Sequence, residues 1–256
     1  MSGYIIGKPE QVLGFYDKEF KGAAPQTNYD EAMAAFDQIG VPETSLRGKK
    51  VVDAGCGPGV YTLVMADAYG AKVTAVDIES DCVDLTREMC KKRSLAVETK
   101  IDDVRNLTLP SDAYDTVVCV GVVYHTGVPL DCLRSFYRVL KSGGECYVSL
   151  IRRSLLTDTQ YVLFNIYHRL PSLVQKLSYN MILGLAKIAV ACSRKGGSRF
   201  HDVSVGVHTA IYCPFQQVEA DEGWCNRLKE VGFVDVRKVR SWNIGGHQGL
   251  YYGRKP

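Results

Sequence analysis

The nine residues Val51-Val52-Asp53-Ala54-Gly55-Cys56-Gly57-Pro58-Gly59 constrain this chain more than any other stretch. A short apolar run ends in an acid, then turns through three glycines spaced two apart. The residues that follow, Val60 to Ala66, have helical apolar spacing. Strand, tight turn and helix start in that order belong to an α/β unit, at the point where its backbone meets a ligand. Glycine has no Cβ, so the chain there can take positive φ and lie close to a bound molecule. Unpaired amides at the helix start offer donors to a carboxylate or phosphate. Dinucleotide folds ask for G-x-G-x-x-G or G-x-G-x-x-A, whereas Gly55, Gly57 and Gly59 give G-x-G-x-G with Val at position 60. Asp53, ahead of the first glycine, suits a cationic amine better than a pyrophosphate.

Further strands follow in the order such a fold requires. Ala71 to Ile78 is β-branched and ends in Asp77, where a carboxylate can accept both hydroxyls of a ribose. Ile101-Asp102-Asp103-Val104-Arg105-Asn106-Leu107 places acids after a third short strand, Ala96 to Lys100. Tyr114 to Val122 reads as a fully buried strand closed by Val123-Tyr124-His125-Thr126, and Phe136 to Glu145 reads as helix, glycine turn and strand.

In sequence and order these motifs resemble the class I S-adenosylmethionine (SAM)-dependent methyltransferases, in their UbiE-like or type 11 branch. The resemblance covers residues 48 to 150 well and 228 to 256 loosely. Tyr124 stands where the branch has a first histidine, and Ser142 where it has proline. It implies a Rossmann-like three-layer α/β sandwich with a seven-stranded, mostly parallel sheet, one strand reversed, plus a helical insertion. At matched positions it implies SAM as cofactor. Asp53, Gly55 and Gly57 would hold the methionine end, with Cys56 and Gly59 shaping the loop. Asp77 would take the ribose and Ile78 the adenine face. Asp103 and Val104, with Asp102 as the alternative, would meet the adenine edge, and Cys119, Val120 and Gly121 would pass under the sulfonium.

At 256 residues the chain fits one domain with an insertion. Residues 1–47 form an N-terminal arm, 48–150 the SAM-binding core, 151–220 a helical lid insertion, and 221–256 a final helix and β-hairpin. A net charge of +3 is too mild to imply nucleic acid. Nine cysteines show no C-x-x-C and no paired zinc spacing, so no metal site and no disulfide frame are expected. The start lacks the basic-then-apolar plan of a signal peptide, which makes the cytoplasm the expected compartment. Within the insertion, Leu177, Met181, Leu185, Ile188 and Cys192 share one face of a helix that is apolar nearly all round. Its apolar run is too short for a transmembrane span. A lid, a dimer interface or peripheral membrane contact would each use such a face, so monomer and homodimer both stay open.

Methyl transfer from a sulfonium is in-line displacement with a good leaving group, so few residues need do chemistry. His125, after the fourth core strand, is the candidate base; packing on the cofactor is its alternative. Tyr16, His208 and Tyr212 are candidate acceptor contacts. Arg152 is another: with Arg153, and with Arg194, Lys195 and Arg199 in a glycine-containing loop, it could recognise a carboxylate or phosphate on the acceptor, unless these form a solvated basic edge. The reading is a methyltransferase of a small molecule, oxygen acceptor preferred, with carbon or nitrogen acceptors and a lipid-like acceptor left open. A SAM-using enzyme of different chemistry, such as intramolecular cyclisation, is the alternative.

Overall fold

The computed structural model describes residues 4–7, 29–167, 169–192, 215–242 and 247–256. Five parallel strands form the core: β2 (Lys50–Ala54), β3 (Lys72–Asp77), β4 (Glu98–Ile101), β5 (Tyr114–Cys119) and β6 (Leu140–Arg152). They lie in the spatial order β4-β3-β2-β5-β6. Beyond β6 comes β9 (Gln248–Arg254), antiparallel to β6 and also to β8 (Val234–Trp242), which closes that edge. Seven strands with one reversed is the expected sheet.

Two further strands extend it. β1 (Tyr4–Gly7) pairs antiparallel with β7 (Phe215–Glu219), and β7 pairs parallel with Ile151 and Arg152 of β6. β9 runs along one edge of β6 as far as Ile151, so β7 must use the other edge, which β5 leaves after Cys119 pairs with Val148. The stretch 215–219, expected within a helical insertion, is therefore sheet. Four- and five-residue strands give too little alternation to reveal a partner some 200 positions away.

The described residues form seven α-helices, α1 (Tyr29–Ile39), α2 (Val60–Asp67), α3 (Ser80–Lys92), α4 (Pro129–Val139), α5 (Leu155–Tyr167), α6 (Ser172–Cys192) and α7 (Asp221–Val231), of which α1 to α4 and α7 pack on the sheet. Strand alternation sorts the core into two layers. Val52, Ala54, Val117, Cys146, Val148 and Tyr251 point to the side where Phe136 of α4 and Trp224 of α7 are buried. Val51, Val73, Val118, Tyr147 and Tyr252 point to the other side, against Phe36 of α1 and Met65 of α2. Such side chains each contribute about 1.5–3 kcal/mol on burial.

Local signals explain the element ends. Pro129 opens α4, where its missing N–H costs nothing. Gly232 ends α7 at φ 113°, its N–H bonded to the carbonyls of Leu228 and Lys229. The buried indole of Trp224 donates to the Ile151 carbonyl at 2.7 Å, which ties α7 to the end of β6.

Candidate functional site at the carboxyl ends of the parallel strands

Parallel register puts the C-terminal ends of β2, β3, β4 and β5 on one rim. Asp53 pairs with Ala75 and Val118, and Asp77 with Ile101. Between β2 and α2 the chain turns through Gly55, Gly57 and Gly59 at φ 81°, 52° and 80°, all left-handed. The three glycines serve different ends. A Cβ on Gly55 would lie 2.3 Å from Val122 Cγ2, and one on Gly59 would lie 2.5 Å from Thr86 Oγ1. Those two let the loop pack against the protein. A Cβ on Gly57 would meet nothing within 4 Å, so that side of the turn faces open space.

The loop is held from below. The amides of Gly55 and Cys56 both donate to the Val76 carbonyl, at 2.8 and 2.9 Å. Thr86 Oγ1 of α3 donates to the Gly57 carbonyl at 3.0 Å. Asp77 completes the frame: its carboxylate accepts the Gly57 N–H at 2.7 Å and the Glu79 N–H at 3.0 Å. Burial raises its pKa, and these backbone donors offset part of the rise.

Asp53 is 2% exposed and accepts a hydrogen bond from Thr62 Oγ1 of α2 at 2.5 Å. Burial lifts its carboxyl from the ordinary 3.8 to about 7; the Thr62 hydroxyl opposes this and the Asp77 charge adds to it. A buried carboxylate with one neutral partner, beside a loop of backbone dipoles, is poorly stabilised without a cation. An ammonium group beside it would supply that cation.

The two acids after β4 have separate tasks. Asp102 is buried and accepts the backbone N–H and the hydroxyl of Thr108, which fold the loop after β4 onto itself. Asp103 is partly exposed and caps the short turn Val104–Asn106 through the Arg105 N–H. The Arg105 guanidinium lies on the same carboxylate at 2.6 Å, and after the opposing cost of burial its bonds hold the Asp103 pKa below the ordinary value. Of the two, Asp103 alone keeps its side chain partly exposed. Val104 beside it is buried, while Ile78 is 39% exposed at the end of β3.

At the end of β5, Cys119 is buried and burial raises its thiol well above the usual range, so it packs as a small apolar group. Gly121, at φ 82°, donates its N–H to Ser149 Oγ at 2.7 Å. Val120 lies between them, packed with the α1–α2 layer. His125 is 5% exposed in the turn Val123–His125, its ring 4.2 Å from that of Tyr124. The Tyr124 hydroxyl accepts from Gln248 Nε2 at 3.0 Å, so β9 fixes the aromatic pair.

Arg152 at the end of β6 and Arg153 just after it are both engaged in ion pairs. Arg152 lies on Asp221 at the start of α7, at 3.1 Å, and that carboxylate also takes Lys238 Nζ at 2.6 Å and the Tyr251 hydroxyl at 2.7 Å. Asp221 is held at about 2 despite partial burial, because Lys238, Tyr251 and Arg152 all bond its charged form. Arg153 lies on Asp158 at 3.2 Å. The guanidinium of Arg152 thus joins β6 to α7. Its partner is remote in sequence, which is why spacing could not show it. Tyr16, His208 and Tyr212, with Arg194, Lys195 and Arg199, lie outside the described residues.

Three side chains that the sequence did not single out support the loop: Thr62 on Asp53, Thr86 under Gly57 and Ser149 on Gly121. Each comes from another element, and no short-range pattern announces it. A polar cavity of about 430 Å³, lined by residues such as Ser45, Lys49, Asp115 and Lys141, opens at the amino end of β6, away from this rim. Lys141 and Asp115 pair with each other there at 2.6 Å.

Residues 51–144 match the methyltransferase-domain family model. The ubiquinone biosynthesis O-methyltransferase of Actinobacillus pleuropneumoniae serotype 7 (strain AP76) is 34% identical over 125 residues, 47% of this chain and 53% of that protein. That of Coxiella burnetii (strain Dugway 5J108-111) is 28% identical over 112 residues, 44% of this chain and 47% of that one. The chain thus aligns with about half the length of these curated relatives. Among solved structures, the magnesium protoporphyrin IX methyltransferase of Synechocystis PCC 6803, with S-adenosylhomocysteine (SAH) bound, superposes with a TM-score of 0.60 at 16% identity, covering 97% of this chain and all of that one. The 4+2 cyclase SpnF superposes at 0.62 with 14% identity, covering 98% and 97%. Residues 51–144 thus resemble a methyltransferase domain, and the chain shares the fold of those solved structures.

Proposed function

We propose that this chain transfers a methyl group from SAM to an oxygen atom of a small, largely apolar acceptor. The observation that carries the reading is the convergence on one rim of an open-sided glycine turn, a buried carboxyl with no cationic partner among its bonds, and a second carboxylate at the next strand tip. Asp53, Gly55 and Gly57 would hold the amino acid end, with Cys56 and Gly59 setting the turn. Asp77 would take the ribose hydroxyls, Ile78 one adenine face, and Asp103 with Val104 the adenine edge. Cys119, Val120 and Gly121 would line the path toward the acceptor.

Bound SAM supplies an electrophilic methyl on a sulfonium that leaves readily. The protein's part is to hold the acceptor oxygen about 3–3.5 Å from that carbon, in line and free of water. A hydroxyl acceptor must lose its proton, and His125 is the side chain assigned to take it. Its burial beside Tyr124 gives one fixed ring orientation. A base of this kind contributes about 10²–10⁴-fold. The O-methyltransferase names of the relatives support an oxygen acceptor, and the apolar insertion supports an acceptor with an apolar part.

The test uses SAM labelled on its methyl group with hydroxylated aromatic acceptors carrying or lacking an apolar tail. Labelled product and SAH in equal amounts are expected. His125→Ala should lower kcat by about 10²-fold or more while SAM affinity by titration calorimetry changes little. Unchanged turnover would return His125 to packing. A second reading, supported by the superposition with a cyclase, keeps the cofactor and not the transfer. An acceptor converted with no SAH formed would favour it.

A further inference from the structure

Helix α6 carries an apolar stripe with nothing described over it. Leu173, Leu177, Met181, Leu185 and Ile188, spaced four or three apart, each remain 60–68% exposed. On α5, Leu155, Val162 and Ile166 share a face in the same way and are also more than half exposed. Neither helix lies closely along another described element. An isolated row of this kind on a soluble surface marks a docking face.

The charge of this stretch of sequence says what docks. Residues 155–199 contain one acid, Asp158, which is already paired with Arg153. The same stretch contains Arg169, Lys176, Lys187, Arg194, Lys195 and Arg199, while the rest of the chain has more acids than bases. Lys176 is exposed beside Leu177, at one border of the stripe. Apolar face and basic border together describe a helix that lies in the plane of an anionic bilayer surface. No described helix is long and apolar enough to cross a membrane. A second copy of the chain would bring a like-charged basic stretch against the first.

From these observations we infer that α5 and α6 dock the enzyme on the surface of an anionic lipid bilayer. The inference concerns where the protein sits and stands apart from the chemistry proposed above. The test is co-sedimentation of the full chain with vesicles of phosphatidylglycerol and phosphatidylcholine in equal parts, and with phosphatidylcholine alone. Binding to the anionic vesicles, weakened by salt, is expected. The double variant Leu177→Asp, Leu185→Asp should lower the partition coefficient at least about tenfold. Lys176→Glu should weaken binding to the anionic vesicles and leave the residual binding to neutral ones as it was. Both variants change exposed side chains, and circular dichroism checks that they fold. Equal partition of the double variant and the natural chain overturns the inference. So does failure to bind anionic vesicles, whether sedimentation velocity then finds a dimer that Leu177→Asp dissociates or a monomer.

Discussion

Gly57→Arg yields a folded protein that no longer binds SAM. At φ 52° any non-glycine residue is strained, by about 1–2 kcal/mol, which the fold should tolerate. No atom lies within 4 Å of the new Cβ, so the side chain enters the open side of the turn rather than the core. Its guanidinium then fills the open space over the turn, the proposed place of the cofactor, while the Gly57 N–H keeps its 2.7 Å bond to Asp77. Affinity should fall beyond detection by calorimetry, with the thermal midpoint lowered by only a few degrees. Gly55→Ala is the contrasting case. Its methyl would lie 2.3 Å from Val122 Cγ2, so the loss there is in stability, about 2–4 kcal/mol, read as a lower midpoint. A Gly57→Arg protein that retains full SAM affinity would remove the turn from the cofactor site.

Asp53→Asn gives the second large effect, and it has opposite signs in the free and bound protein. The natural carboxyl keeps its proton to about pH 7 when folded but loses it near the ordinary 3.8 when unfolded. Between those values the unfolded chain binds fewer protons, so the stability of the free protein falls as pH rises through that window. Asparagine keeps an acceptor for Thr62 and has no charge to bury. The free variant should therefore melt above the natural protein at pH 8 and nearly with it at pH 4, by about 1–3 kcal/mol at the larger gap. SAM affinity should move the other way. In the natural protein it rises as pH passes about 7, because the ionised carboxylate is what an ammonium group needs. The variant should lose that rise and bind roughly 10–100-fold more weakly at pH 8. Parallel melting curves and parallel affinity profiles across pH would show that Asp53 carries no such charge.

How much of this could be read from the chain depended on distance along it. The turn at Gly55 to Gly59 and the acids Asp53 and Asp77 were legible because a strand end, a glycine turn and a helix start are consecutive, and each step has its own residue signal. The antiparallel pair Val234–Trp242 and Gln248–Arg254 was legible for the same reason. What supports the site was not legible. Thr62, Thr86 and Ser149 act through packing between elements, and threonine or serine in a helix or strand has many ordinary uses. The ion pair of Arg152 with Asp221 was not legible either, because its partner lies 69 positions later. The stripe on α6 was plain from periodicity. That it would remain uncovered depends on where the helix sits, which periodicity does not contain.

The pairing of residues 4–7 with 215–219 has a consequence for how the protein comes into being. A ribosome releases the first of these strands long before the second is synthesised, so residues 4–7 leave the exit tunnel with nothing to join. The central strands can assemble behind it while it waits. Placing it is thus a late event in maturation, and a peptide matching those first residues would compete for the same vacant edge.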